Sequence, residues 1–446
     1  MAVTIKAEGQ ASKRGIIARL PTPERLIADA QRWVEAEYHT FVRGSHLDRD
    51  RSDAAPGAAL EIDLHPAADP VSFRADAEGI VRVAADASNA GPGYQTFVAR
   101  LLERMGDELG ITWSEQSDAR PVDGPAPTAG AWFALADRSA VERDHLALLG
   151  HQLAWAAEQC RRGVTGLQIG MHPGTRFAFD GAIGTMLGPR DEAWLERALK
   201  DPRVATDIRP WWTDAPDAPY MLKRALVLLW TEVRWRQPAT DQERATVDEA
   251  LELLRRALPI DPMLPYPWRE WVELIALRGI HEPVSDRVAL RAEAVDASLP
   301  LIGYRRRPVT IEHEGWALGI PGSFGEVRTA DEWSGRDRGR MVTLAATVTR
   351  TPEGRPQSAD WFLAQVASDL GPGVLHHQEG GLRGLARLTT DASSGVEVAI
   401  LEGFSAVTGS GAAIRIEFEE GEDYGWAVDL WRSLRPARSG ALVSVA

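Results

Sequence analysis

The hydrophobic period of this chain changes twice along its length, and that change limits its architecture more than any single motif. Between residues 57 and 86, "ALEIDLHP", "PVSFRAD" and "GIVRVAAD" place apolar side chains at alternate positions. From 139 to 298 the spacing becomes three and four, and from Val309 alternation returns. Side chains alternate across a strand but recur every 3.6 residues on a helix, so no single kind of element accommodates the whole chain. An α+β multidomain protein is expected: an N-terminal α+β domain over 1–125, a mainly helical domain over 126–304, and a C-terminal α+β sandwich over 308–440. A chain of 446 residues with 44% apolar content is long enough to bury several cores.

In the first region, "PERLIADAQRWVEAEYHTFV" carries Leu26, Ile27, Ala30, Trp33 and Val34 on one helical stripe. The polar "RGSHLDRDRSDAAPGAA" that follows is expected to be a loop before three short antiparallel strands. "ASNAGPGYQTFVARLLERMGDEL" then supplies a covering helix, with Phe97, Val98, Leu101, Leu102, Met105 and Leu109 facing the sheet. Its glycine turn raises the question of a phosphate cradle. Such a cradle needs Gly-x-Gly-x-x-Gly, or Gly-Lys-Ser/Thr with its lysine. Neither is present, and Pro92 removes one amide donor, so Gly91 and Gly93 are assigned to helix entry, assisted by Ser88 or Asn89. Residues 117–131, rich in Pro, Gly, Ala and Asp, have the composition of a linker.

The middle region offers helical segments interrupted by "GLQIGMHPGTRFAFDGAIGTMLGP", 166–189, whose glycines predict a hairpin or structured loop. "APYMLKRALVLLWTEVRWR" is expected to be one helix; Thr240 with Glu243 forms a capping box, and Gly279 caps a later helix. Ala250, Leu254, Ala257, Pro262 and Trp268 resemble part of a tetratricopeptide repeat over about 240–280. Val272 stands where that pattern has a small residue, and no second period follows, so the resemblance implies a helical hairpin stack. Arg305, Arg306 and Arg307 are expected to be a solvated segment between domains.

The C-terminal order is strand, strand, "IPGSFGEV", strand, a helix at "SADWFLAQVASDL", three strands, and a last helix at "DYGWAVDLWRSLR". With Ile320, Pro321, Gly322, Ser323 and Phe324 before the sheet and Trp426, Trp431, Ser433 and Leu434 in the final helix, residues 310–436 resemble the Mog1/PsbP-like family, including its bacterial DcrB-like members. Phe324 stands where the family more often has Trp. The resemblance implies a binding or assembly module and carries over no catalytic residue.

Charge and composition narrow the chemistry. A net charge of −14 argues against nucleic-acid binding, which needs clustered Lys and Arg. No apolar run is long enough for a membrane span, so no membrane insertion is expected. Cys160 is alone, which excludes a disulfide framework within the chain and suits a cytoplasmic protein. No metal site is expected from the adjacent His376 and His377, placed on a surface loop, from Glu312, His313 and Glu314 on a strand, or from His145 and His151, six apart. Cys160 beside Arg161 and Arg162 is taken as a packed residue, "TGSGA" at 408–412 as a hairpin turn, and Glu419 with Glu420 as a solvated turn. No cofactor is expected.

Tryptophan is over-used, 16 against 10 Phe and 6 Tyr, with Trp230 and Trp235 flanking or adjoining Arg234 and Arg236. In "RPWWTDAPDAPY", a Pro- and Asp-rich stretch, Trp211, Trp212 and Tyr220 are the expected partner-binding residues, with one tryptophan exposed. The expectation is a non-enzymatic bacterial adaptor or scaffold for protein partners, compatible with toxin immunity, secretion or phage defence. The alternative is an enzyme whose dispersed site lies at 166–181, around His172, Arg176 and Asp180.

Overall fold

Four sheets and their helices are laid out along the chain in a computed structural model that describes residues 2–13, 20–50, 57–115, 138–171, 174–281, 283–329, 331–392, 397–419 and 423–437. The N-terminal region runs β1 (Thr4–Ala11), α1 (Pro23–Glu37), β2 (Gly44–Asp50), β3 (Gly57–Asp63), β4 (Val71–Asp76), β5 (Ile80–Asp86), α2 (Pro92–Leu109) and β6 (Ile111–Glu115). All neighbours in its sheet, ordered β2-β3-β4-β5-β1-β6, are antiparallel. Leu60, Ile62, Val71, Phe73, Val81 and Val83 are buried at alternate positions, as the period of two requires, and Leu101, Leu102 and Met105 of α2 join their core. Each such Leu, Val or Phe side chain contributes roughly 1.5–3 kcal/mol by leaving water.

Two parts of this sheet escape the sequence pattern. β2 occupies "GSHLDRD", where a loop is expected, because an edge strand pairs on one side only and tolerates polar residues. β1 lies between β5 and β6 although its inward residues after Ile5 are only Ala7, Gly9 and Ala11. The 117–131 segment lies outside the described residues.

The glycine turn before α2 is filled by the chain itself. The Gly93 N–H donates to the Trp211 carbonyl at 3.1 Å, and the Trp211 N–H donates to the Ala90 carbonyl at 2.9 Å. A Cβ at Gly93 would stand 2.1 Å from the Thr213 carbonyl oxygen, and one at Gly91, whose φ is +112°, 2.5 Å from that of Trp211. Only glycine admits a second backbone this closely.

The middle region contains α3 (Arg138–Arg161), β7 (Leu167–Ile169), β8 (Thr175–Phe177), β9 (Ile183–Thr185), α4 (Glu192–Lys200), α5 (Ala218–Val227), α6 (Asp241–Ile260), α7 (Trp268–Arg278) and α8 (Ser285–Glu293). Thr240 caps α6 through the Glu243 N–H at 3.1 Å, and Gly279 ends α7 in the left-handed conformation. The helix expected over 218–236 is shorter: α5 stops at Val227, a π-helical turn follows over Leu228–Glu232, and Trp235 has φ +55°. The core of α5, α6 and α7 is continuous with that of the N-terminal sheet, so apolar packing does not stop at the boundary expected near 125.

The C-terminal region comprises β10 (Val309–His313), β11 (Trp316–Ile320), β12 (Gly325–Arg328), β13 (Glu332–Asp337), β14 (Arg340–Val348), α9 (Ala359–Leu370), β15 (Leu375–Glu379), β16 (Leu382–Asp391), β17 (Val398–Val407), β18 (Ser410–Phe418), α10 (Tyr424–Ser433) and β19 (Arg435–Pro436). Its seven-stranded antiparallel sheet is ordered β12-β13-β14-β18-β17-β16-β15; a second sheet, β19-β11-β10-β8, takes one strand from the glycine-rich segment of the middle region. Trp316, Trp333, Trp431, Phe324 and Leu434 are buried between these layers. The chain is thus an α+β multidomain protein, and no helix among the described residues is long and apolar enough to cross a membrane.

Candidate functional site: an arginine-lined cleft

Where the three regions meet, a cleft of about 730 Å³ is walled by the α1–β2 connection, the end of β3, the π-helical turn, α6, the Arg305 turn, β12 and β13. Gln242, Thr246, Glu249, Leu253 and Arg256 line it at spacings of three and four, as one face of α6. Among the described residues the wall carries seven arginines and six carboxylates, most of which pair in two groups.

The first group centres on Arg43. Its Nε reaches Glu249 at 2.9 Å, Nη1 reaches Asp63 at 3.0 Å, and Nη2 reaches Glu232 at 2.6 Å. Arg224 Nη2 stands 2.6 Å from Glu249, and its Nη1 donates to the Tyr220 hydroxyl at 3.0 Å. Burial disfavours every charge here, but the three carboxylates outweigh it at Arg43 and raise its pKa. Burial raises Asp63, helped by Glu232 and Glu249 and opposed by Arg43. Glu249 is lowered, because Arg224 and Arg43 together overcome its burial.

The second group joins the middle region to the C-terminal sheet. Arg236 clasps Glu243 with two bonds of 2.7 and 2.9 Å, lies 2.9 Å from Asp337, and donates to the Ser323 carbonyl. Arg305 Nη2 donates to Glu326 Oε1 at 2.7 Å and its Nε to the Thr231 carbonyl at 2.8 Å. That carbonyl belongs to the π-helical turn, a geometry that opens the regular helical ladder. Next to it, Arg306 stacks 3.6 Å above the ring of Trp235. Gly303 permits this, since a Cβ there would stand 2.1 Å from Trp235 Nε1. A left-handed tryptophan beside a π-turn is locally costly, and the surrounding contacts hold it.

The expected solvated basic segment is solvated only at Arg307; Arg305 is buried and Arg306 half-buried. Arg305 pairs with Glu326, Arg306 with Glu273, and Arg307 with Asp180, so consecutive arginines tie separate parts of the chain together.

The expected partner surface at 209–220 is also corrected. Trp211 is 1% exposed and Tyr220 is 3% exposed, their ring centroids 4.2 Å apart. Phe41, Phe97, Tyr94 and His65 complete this aromatic cluster. The stretch is polar in sequence, yet the glycine turn lets its backbone lie on the entry of α2, which carries Trp211 into the core. Trp212 is half-buried, its ring 6.4 Å from that of His145.

Of the alternative site's residues, Arg176 and Asp180 are each engaged in an ion pair with a residue outside the 166–181 segment. Arg176 pairs with Glu312 at 2.5 Å, Asp180 pairs with Arg307, and His172 lies outside the described residues. Cys160 is half-buried with its thiol pKa raised, first by burial and then by Glu192, the opposite of activation. His376 and His377 lie in β15 rather than on a loop, with His377 against Trp431. Among the described residues no group of three or more His, Cys, Asp and Glu is arranged to hold a metal ion.

The sequence carried a partial signal for the cleft in the Trp and Arg alternation at 230–236. Arg43, Asp63 and Glu249 gave none, being far apart in the chain.

No family model matches the chain, and no curated protein matches it. Among solved structures, a crystal structure from Bacteroides thetaiotaomicron VPI-5482 is similar to it at a TM-score of 0.24 and 8% identity, over 28% of this chain and 46% of that one. The chain thus spans less than half of that structure, and a likeness this loose carries no argument about fold or function.

Proposed function

We propose that the chain is a non-enzymatic adaptor that binds protein partners, and that a partner engages the cleft where the three regions meet. The observation that carries this reading is the composition of the wall. Arg43 and Asp63 come from the N-terminal region, Glu249 and Arg236 from the middle, and Glu326 and Arg336 from the C-terminal region, so an occupant would touch all three at once. Ion pairs within the wall position these groups, and position is what a recognition surface requires.

The C-terminal region is proposed to be a Mog1/PsbP-like module. The seven-stranded sheet, the contact between Phe324 and Trp426 at 6.1 Å, and the final helix with Trp431 packed on the sheet support this. The α6–α7 hairpin is proposed as the tetratricopeptide-like part. Toxin immunity, secretion and phage defence are settings that suit such an adaptor.

A photo-crosslinking amino acid at Val327, 63% exposed on the cleft wall, tests the reading in the cells the protein comes from. The expected result is one crosslinked protein that is missing when the same group is placed at Leu388, an exposed residue that does not line the cleft. Identical products from both positions, or none from Val327, would refute it.

A further inference from the structure

We infer that the cleft receives an extended, acidic segment of a partner protein, laid along the edge strand β12 with its carboxylates on Arg234, Arg256 and Arg336; this rests on the adaptor reading above. The first support is the charge pattern of the wall. Each of its carboxylates is already engaged: Asp63, Glu232 and Glu249 by Arg43, Glu243 by Arg236, Glu326 by Arg305, and Glu252 by Arg255. Three of its arginines are not matched in this way. Arg234 Nη1 is buried without a hydrogen bond, 3.5 Å from the Glu326 oxygen that Arg305 holds at 2.7 Å. Arg256 and Arg336 are exposed and have no carboxylate partner among the described residues. The unmatched groups of the wall are therefore cationic, in a chain whose net charge is −14.

The second support is the backbone. β12 is the outer strand of the seven-stranded sheet and pairs with β13 alone among the described strands. Its Gly325, Glu326 and Val327 line the cleft, and Val327 leaves most of its surface in water. An extended segment adds to such an edge through main-chain hydrogen bonds, with alternate side chains directed to opposite sides. Alternation of acidic and apolar residues would set carboxylates toward the arginines and an apolar group toward Val327. The cleft volume, about 730 Å³, accommodates a few residues of extended chain and falls in the range of roughly 300–1,000 Å³ typical of ligand sites.

The probe is a fluorescein-labelled hexapeptide alternating Glu and Val, titrated by anisotropy against the full-length protein, with an alternating Lys and Val peptide and citrate as comparisons. Saturable binding of the acidic peptide is expected, weakened by salt and by about tenfold or more in Arg256→Glu/Arg336→Glu. Both positions are exposed, so an unchanged melting temperature separates lost recognition from lost folding. Amide exchange in Gly325–Arg328 is expected to slow when the peptide is present.

Failure of the acidic peptide to bind, equal binding of the Lys peptide, or insensitivity to the double reversal would each overturn the inference. Citrate that competes fully while β12 exchange stays unchanged would also overturn it, by reducing the site to one for free carboxylates. The crosslink at Val327 distinguishes the two levels: a crosslinked partner together with a non-binding acidic peptide leaves the adaptor reading standing and removes only the acidic segment.

Discussion

Acidification should destabilise this protein through His145 in a way that one substitution removes. His145 lies on α3, fully buried, with Nε2 3.1 Å from Gln95 Oε1 on α2. If Nε2–H donates there, Nδ1 carries the lone pair, and Nδ1 is buried without a partner. A second proton would have to sit on Nδ1, next to no acceptor and in the field of Arg209 and Arg138. Burial first, then Arg209 and Arg138, push the pKa down to about 3 from a model-peptide value of 6.5. The folded-state pKa is thus depressed, so the unfolded chain binds the proton more readily. The associated stability is fully present above pH ~6.5 and is lost as the pH falls toward ~3. Each pH unit in that window costs about 1.4 kcal/mol, so lowering the pH from 7 to 5 removes about 2 kcal/mol through this group. Urea unfolding of wild type and His145→Gln, followed by tryptophan fluorescence at both pH values, measures the difference. Gln retains a donor toward Gln95 and cannot be charged. The wild type should lose about 2 kcal/mol more than the variant. An equal loss in the two proteins, or an imidazole resonance of His145 that titrates near pH 6.5, would refute the argument.

Three further outcomes follow from burial and pairing. Trp211→Ala should lower stability by about 3–5 kcal/mol by emptying an aromatic site in the core, whereas half-buried Trp212→Ala should cost clearly less; similar losses in thermal or urea unfolding would contradict their different burial. Arg43→Met should cost about 3–5 kcal/mol at neutral pH, because it leaves Asp63, Glu232 and Glu249 without their shared cation. Part of that loss should return on mild acidification as the carboxylates are protonated, so an Arg43→Met deficit that is constant from pH 7 to 5 would count against the pairing. A fragment of residues 308–440 should unfold cooperatively, but with fast amide exchange at Val309–Ile311, where β8 no longer pairs with β10; absence of a cooperative transition would show that β8 is required for folding.

What was legible in the sequence was local. The period of two placed β3, β4 and β5, and the three-four spacing placed α2 and α6, because burial on one face dictates which residues are apolar. Thr240 and Gly279 marked helix ends through backbone groups that need a partner close in sequence. β1 and β2 were not legible, the first because its inward positions after Ile5 are small residues, with Gly9 pressed against Trp113 and Ile111, the second because an edge strand need not be apolar. Trp211 was misassigned because the cue was the Pro and Asp content around it. The cause of its burial lies at Gly91 and Gly93, more than a hundred residues earlier, where a missing Cβ makes room for it.

The cleft follows the same logic at larger scale. Its arginines are spread over Arg43, Arg224, Arg234, Arg236, Arg256, Arg305 and Arg336, and in the linear chain each looks like an ordinary surface residue. What distinguishes Arg43, Arg224, Arg236 and Arg305 from the unmatched three is pairing, and pairing is a property of the folded chain. Buried ion pairs of this kind add little net stability over apolar packing, since desolvation offsets most of the Coulombic attraction. Removing one partner, however, strands the others, so the network penalises any arrangement that separates the regions. Arg43 fixes the N-terminal sheet against α6 and the π-turn, while Arg236 and Arg305 fix that turn and α6 against β12 and β13. The width of the cleft and the position of the open β12 edge within it are therefore set by the same contacts. A partner that displaced either group of ion pairs would have to replace charge-assisted bonds, whereas one that met only Arg234, Arg256 and Arg336 would leave the network intact, which makes those three the positions where binding is least costly to the fold.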